Sequence, residues 1–225
     1  MIIELYHGSD HIIEQPELGK GRLKNDYGKG FYCTEERDLA REWGVSRSRD
    51  GIVNQYQLET NGLTLLDLGG NEFCVLHWLT VLLENREFDL TTPLAVEAKE
   101  YLLEHFRPAY ETYDLIKGYR ADDSYFSFAQ DFIGGGISYR QLTRAMHLGK
   151  LGEQVVLKSE AAFARLQYRG YEVASREEWY PKKVHRDRAA RAAYFNVEKN
   201  RRQKGDLYIL QILDEEMKPD DPRLR

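Results

Sequence analysis

Cysteine is scarce in this 225-residue chain, which holds two, Cys33 and Cys74. Two thiols are too few for a disulfide framework, and their spacing is not that of a metal site. A reducing, cytoplasmic compartment is the expectation. Long apolar runs are missing as well. No segment approaches the roughly 20 residues of a membrane helix, so no membrane partner is expected. The opening MIIELYH reads as a strand rather than a signal segment. Positive charge is not in excess: the net charge of −5 and pI near 5.8 carry no global signal for nucleic acid. Internal repeats and low-complexity linkers are absent. The glycines Gly134 to Gly136 lack the spacing and strand–helix context of a nucleotide fingerprint. His77, His105, His147 and His185 have no metal spacing, so no metal is expected.

The chain does have a large apolar fraction, 42%, and a length that suits one generous domain. Strand signals lie at Ile2–Tyr6, Phe31–Tyr32, Ile52–Leu58, Leu63–Leu68 and Gln154–Leu157, with a further candidate at Tyr171–Ala174. Helical runs follow Asn71 (Glu72–Leu83), Pro93 (to Phe106) and Asp122 (to Ile133). Others follow Ser138 (Tyr139–Leu148) and Ser159 (Glu160–Leu166). From Arg176 to Lys204 the composition turns basic, with ten Lys and Arg against four acids. That stretch fits a solvated helix or a surface for nucleic acid or an acidic partner. The expected organisation is one α+β domain over residues 1–213. It carries a helical insertion at about 71–148, a basic segment at 176–204 and a charged tail at 214–225.

The tract YGKGFYCTEERDLAREW, Tyr27 to Trp43, reads as a glycine-flexed turn, a short strand and a helix. Thr34 is placed to cap the helix, with Glu35 and Glu36 at its positive end. Tyr32 and Trp43 stand eleven residues apart. A strand followed by three helical turns folds back and sets two aromatic faces opposite each other. Such a slot suits a flat cationic ring, and oxidised nicotinamide is one. Upstream, LYHGS places His7 at a strand end before Gly8 and Ser9. A histidine there suits a sugar hydroxyl, and glycine admits a ligand amide close to the backbone. Each feature alone also fits ordinary core packing.

Together, YHGS and GKGFYCTEERDLAREW resemble the NAD-binding half of ADP-ribosyltransferases of the diphtheria-toxin and poly(ADP-ribose) polymerase type. Those families carry a histidine–glycine pair on the first strand, then a glycine-led aromatic tract with a second aromatic eleven residues beyond its tyrosine. His7, Gly8, Tyr32 and Trp43 fall on these positions. Trp43 departs from the usual tyrosine but keeps a stacking face. Ala40 replaces the polymerases' serine, as in the toxin branch. LGEQVVLKSEAAFARL has the layout of the strand that bears the catalytic glutamate. Gln154 takes the glutamate's place in the preferred register, and a shift of one residue puts Glu153 there. Alternation sends these neighbours to opposite sheet faces and leaves open which one meets the cleft. The same tract resembles an uncharacterised bacterial family that often sits beside small partner genes, as toxin–antitoxin pairs do.

The resemblance covers most of the chain to about Tyr171. It implies a split two-sheet core with helical insertions and NAD as a substrate. The implied activity is transfer of ADP-ribose to a protein or nucleic-acid acceptor, with NAD hydrolysis as a side or main reaction and a small antitoxin as partner. His7, Gly8, Ser9, Tyr32 and Trp43 would hold NAD, and Gln154 or Glu153 would address the nicotinamide ribose. Glutamine keeps the glutamate's hydrogen bond but not its charge. Asp122 and Asp123 are candidates to supply the missing carboxylate, or simply favour a helix start. The alternative is a non-catalytic module that binds NAD or ADP-ribose.

Overall fold

The computed structural model describes residues 1–21, 24–121, 123–148 and 152–224, with the side chains of all but 123–125 and 197–198. Among these residues, seven strands form two sheets. The first joins β1 (Ile2–Ser9), β3 (Gly51–Glu59) and β7 (Leu166–Ala174), antiparallel throughout, with β3 central. The second has the order β2 (Phe31–Cys33), β6 (Glu153–Leu157), β5 (Leu115–Tyr119), β4 (Leu65–Asp67). Its β4–β5 pair is parallel and the others antiparallel. A β-bridge between Tyr6 and Thr34 stitches the two sheets, through N–O contacts of 2.8 and 2.9 Å.

Period-two alternation builds the layers. On β6, Val155 and Leu157 pack with Leu5, Tyr56, Leu58 and Leu115 between the sheets. Val156 points the other way, into the main core with Tyr27, Leu66 and Trp78. The helical layer over that face is centred on α2 (Val75–Asn85), in which all nine residues from Val75 to Leu83 are buried. Around it lie α3 (Pro93–His105), α4 (Asp123–Ile133) and α5 (Tyr139–Ala145). Sequence chemistry fixes their starts: Thr92 and Ser138 accept from Ala95 N and Gln141 N, with Pro93 in the first turn of α3. The first sheet is covered outside by α1 (Arg37–Gly44) and α7 (Arg176–Ala193), through Ala40, Val45, Val53 and Trp179. The short α6 (Glu160–Ala164) starts at Ser159, and α8 (Ile209–Asp214) closes the main core. The result is an α+β architecture.

The structure differs from the expectations in several places. The stretch 71–148 is not wholly helical, because it contains β5, whose Lys117 and Gly118 hide the strand pattern. Helix α1 begins at Arg37 with Glu36 as its N-cap. Thr34 Oγ1 instead accepts from Glu36 N at 3.1 Å in the turn before it. Helix α2 starts at Val75, three residues after the expected start. The charged tail packs on the domain: Met217 and Leu224 are buried, and their carbonyls accept from Tyr101 at 3.0 Å and Tyr139 at 2.6 Å. The basic segment forms α7 and a π-helical turn, Tyr194–Glu198, with Tyr194 stacked on Phe128 at 3.8 Å. Several of its cations have acidic partners, among them Arg186 with Glu42 at 2.7 Å. No helix among the described residues is long and apolar enough to cross a membrane.

Candidate functional site

The two sheets meet where β1 passes Thr34, and a cleft of about 860 Å³ opens beside that junction. His7 follows the bridging Tyr6 and is brought against β2. Its Nδ1 lies 2.7 Å from the carbonyl oxygen of Tyr32. A carbonyl accepts, so Nδ1 carries the hydrogen and Nε2 is left as an acceptor. Burial lowers the pKa of this imidazole, and it is neutral at pH 7. The Phe31 ring, 4.5 Å away between centroids, fixes its other side. Gly8 is required by packing: a Cβ there would run into the Ala40 carbonyl oxygen and lie 2.7 Å from Gly44 N. Strand β1 thus touches the backbone of α1, which carries Trp43.

Tyr32 closes its own loop. Its hydroxyl donates to the Gly28 carbonyl at 2.6 Å and accepts from Tyr27 N at 3.0 Å. Tyr27, fully buried, donates at 2.6 Å to the Tyr119 carbonyl. Trp43 lines the same cleft, but the guanidinium of Arg120 sits over its ring, 5.0 Å from the centroid. The expected slot is therefore not two bare aromatic faces, since one wall already carries a flat cation. The Trp43 Nε1 atom is buried without a hydrogen-bond partner.

Alternation on β6 separates Gln154 from Glu153. Gln154, paired across the sheet with Gly118, lines the cleft and is 4% exposed. Glu153 lies at the surface, 3.4 Å from Lys117 Nζ, and is not part of the cleft lining. Gln154 Nε2 donates to Asp26 Oδ2 at 3.1 Å, and its Oε1 is buried with no partner. Asp26, itself buried, also receives Arg86 Nη1 on Oδ1 at 2.7 Å and Ala121 N on Oδ2 at 2.9 Å. Burial raises its carboxyl pKa and the neighbouring Arg86 opposes the rise. Its three hydrogen bonds all come from donors, the arrangement that suits a carboxylate acceptor.

Ser9 does not line the cleft. Its hydroxyl donates to the His11 carbonyl at 2.6 Å and accepts from Asn54 Nδ2 at 2.9 Å. Asn54 is fully buried and accepts from Ile13 N at 2.7 Å, so Ser9 and Asn54 pin the segment that forms one wall. Asp122 lies outside the described residues, and Asp123 opens α4 with its side chain outside them. Asp26, Arg86, Arg120 and Asn54 are additions to the sequence-based set. Asn54 left a trace as the polar residue on the face of β3 that otherwise carries Ile52, Tyr56 and Leu58, and Asp26 left adjacency to the Tyr27 tract. Arg86 and Arg120 left none. Among the described residues, no three His, Cys, Asp or Glu side chains are grouped as a metal ion requires.

A family model described as "Protein of unknown function (DUF3990)" matches residues 3–168, a span that contains every cleft residue named above. No curated protein and no solved structure matches the chain.

Proposed function

We propose that this chain, which belongs to the DUF3990 family of proteins of unknown function, binds NAD in this cleft and transfers its ADP-ribosyl group to a macromolecular acceptor. One observation carries the reading. His7, Gly8, Tyr32, Trp43 and Gln154, drawn from β1, β2, α1 and β6, line a single cleft. Its volume of about 860 Å³ falls within the usual range for small-molecule sites.

In this reading Tyr32 and Trp43 hold the nicotinamide, and binding exchanges the Arg120 guanidinium for another flat cation. The displaced guanidinium is then a partner for the pyrophosphate. The Gly8 backbone meets the carboxamide. His7 Nε2 accepts from an adenosine-ribose hydroxyl, and Gln154 Oε1 accepts from a hydroxyl of the nicotinamide ribose. The bond from ribose C1′ to the nicotinamide nitrogen breaks, and its electron pair leaves on that nitrogen. An acceptor oxygen or nitrogen, or water, bonds to C1′ and releases a proton. The developing cation resembles that of glycoside cleavage. The resemblance to a bacterial family that often sits beside small partner genes extends the reading to a toxin restrained by a small partner. Two free cysteines fit a reducing cytoplasm.

A binding-only module has its own support, because the residue in the glutamate's place is an amide and Arg86 offsets the Asp26 charge. Titration calorimetry with NAD, followed by assay of free nicotinamide, tests both. Binding with nicotinamide release is the expected result. Binding without release would leave the module reading standing, and no binding would end both.

A further inference from the structure

The sequence puts glutamine where the resemblance calls for a carboxylate, yet the cleft has a buried carboxylate from another segment. Glu14 and Glu17 also line it, but they are exposed at its mouth. Asp26 is 5% exposed, lines the cleft and sits beside Gln154, which donates to it. Its position is not adjustable. Tyr27, the next residue, is anchored on Tyr119, and Arg86 and Ala121 hold both Asp26 oxygens.

This arrangement fixes which way the Gln154 amide points. A carboxylate accepts only, so the amide nitrogen must face Asp26 and Oε1 must face away. A flipped amide would set oxygen against oxygen. Oε1 is left buried and unpaired, an arrangement that costs stability. The bond from the amide nitrogen to Asp26 leaves that oxygen unsatisfied. A ligand hydroxyl donating to Oε1 would satisfy it. The Asp26 charge also polarises the amide and makes Oε1 a stronger acceptor.

We infer that Asp26 and Gln154 work as one unit in which the buried carboxylate locks and polarises the amide, and the amide oxygen receives a hydroxyl of the nicotinamide ribose. Asp26 is thus a positioning residue, acting through Gln154 and placing negative charge beside it in the cleft wall. The inference rests on the NAD reading of the cleft. It also reverses a simpler expectation, that a glutamate at 154 would raise the rate. Gln154→Glu would set two carboxylates about 3 Å apart, where both cannot ionise at neutral pH.

The test compares wild type, Asp26→Asn, Gln154→Glu, the double variant and Gln154→Met. NAD affinity is measured by calorimetry, nicotinamide release as kcat and folding by thermal unfolding. For Asp26→Asn we expect kcat to fall by about 100-fold, with NAD affinity within about threefold of wild type. Gln154→Glu should also be slow. The double variant, which returns one carboxylate and one amide to the pair, should release nicotinamide about tenfold faster than Asp26→Asn. Gln154→Met leaves Asp26 with Arg86 and Ala121, and should stay folded with the same loss of kcat even if Asp26→Asn does not fold. A folded Asp26→Asn or Gln154→Met with wild-type kcat would overturn the proposal. So would a folded double variant no faster than Asp26→Asn. A wild type that neither binds NAD nor releases nicotinamide would defeat the cleft reading itself, and this inference with it.

Discussion

Replacing Gly8 by alanine separates what packing requires from what a ligand requires. The new Cβ would be driven into the Ala40 carbonyl oxygen, 2.7 Å from Gly44 N and 3.0 Å from the Ala40 carbonyl carbon. All three atoms are backbone of α1 or its last residue, so no side-chain rotation relieves the overlap. Strand β1 cannot retreat, because all eight of its residues pair with β3. The helix must move instead, and α7 packs behind it. Overpacking of this kind costs about 1–3 kcal/mol, and backbone contacts on both sides put Gly8→Ala at the upper end. For a domain of this size, about 3 kcal/mol lowers Tm by roughly 6–12 °C. The matched control is Gly134→Ala, whose Cβ would meet nothing closer than 3.4 Å. It should lie within about 0.5 kcal/mol of wild type. Thermal unfolding of the three proteins decides the matter. A Gly8→Ala variant as stable as the control would refute the close β1–α1 contact and the placement of Trp43 that depends on it.

Trp43→Ala should weaken NAD binding by one to two decades in calorimetry, since losing a stacked ring costs about 1–3 kcal/mol. His7→Gln should keep part of the nicotinamide release and His7→Ala should lose most of it, because His7 serves as an acceptor. Burial holds the His7 pKa below its ordinary 6.5. Its contribution to stability is therefore complete above about pH 6.5 and is lost as pH falls through the folded value. Chemical unfolding across pH 5–8 reads this directly, and His7→Gln should flatten the acid limb. Tyr27→Phe should cost about 1 kcal/mol in urea unfolding, as Trp78 Nε1 still donates to the Tyr119 carbonyl at 3.0 Å. Glu153→Gln should leave nicotinamide release unchanged, since it loses an exposed pair with Lys117 worth at most about 1 kcal/mol.

Short-range chemistry was legible in the sequence. Pro93, Ser138 and Ser159 announce their helices because helix-start signals act over a few residues, and β3 shows its alternation. His7, Tyr32 and Trp43 stood out through motif spacing. Residues whose meaning comes from distant partners did not. Asp26 is one acid in a polar loop until the fold brings Gln154 to it from 128 positions away. Arg120 is one cation among many until it covers Trp43. The same alternation that made Glu153 and Gln154 rivals also separates them, once the packing of Val155 and Leu157 on the first sheet is known. Strand β5 escaped because Gly118 is there for the Tyr27 hydroxyl, which would lie 2.5 Å from a Cβ at that position.

The junction at Tyr6 and Thr34 has a thermodynamic consequence. His7 and Gly8 belong to one sheet, Tyr32 and Gln154 to the other, and the cleft exists while both are docked. A ligand bound across it acts as a clamp on the pair of sheets and has no partial site to bind when they part. Its full binding energy is then added to the cooperative unfolding of the domain. Saturation at 100 times Kd corresponds to about 2.7 kcal/mol. A melting curve followed by a probe in either sheet would shift by the same amount, so heat alone reports whether the two halves of the cleft share one ligand.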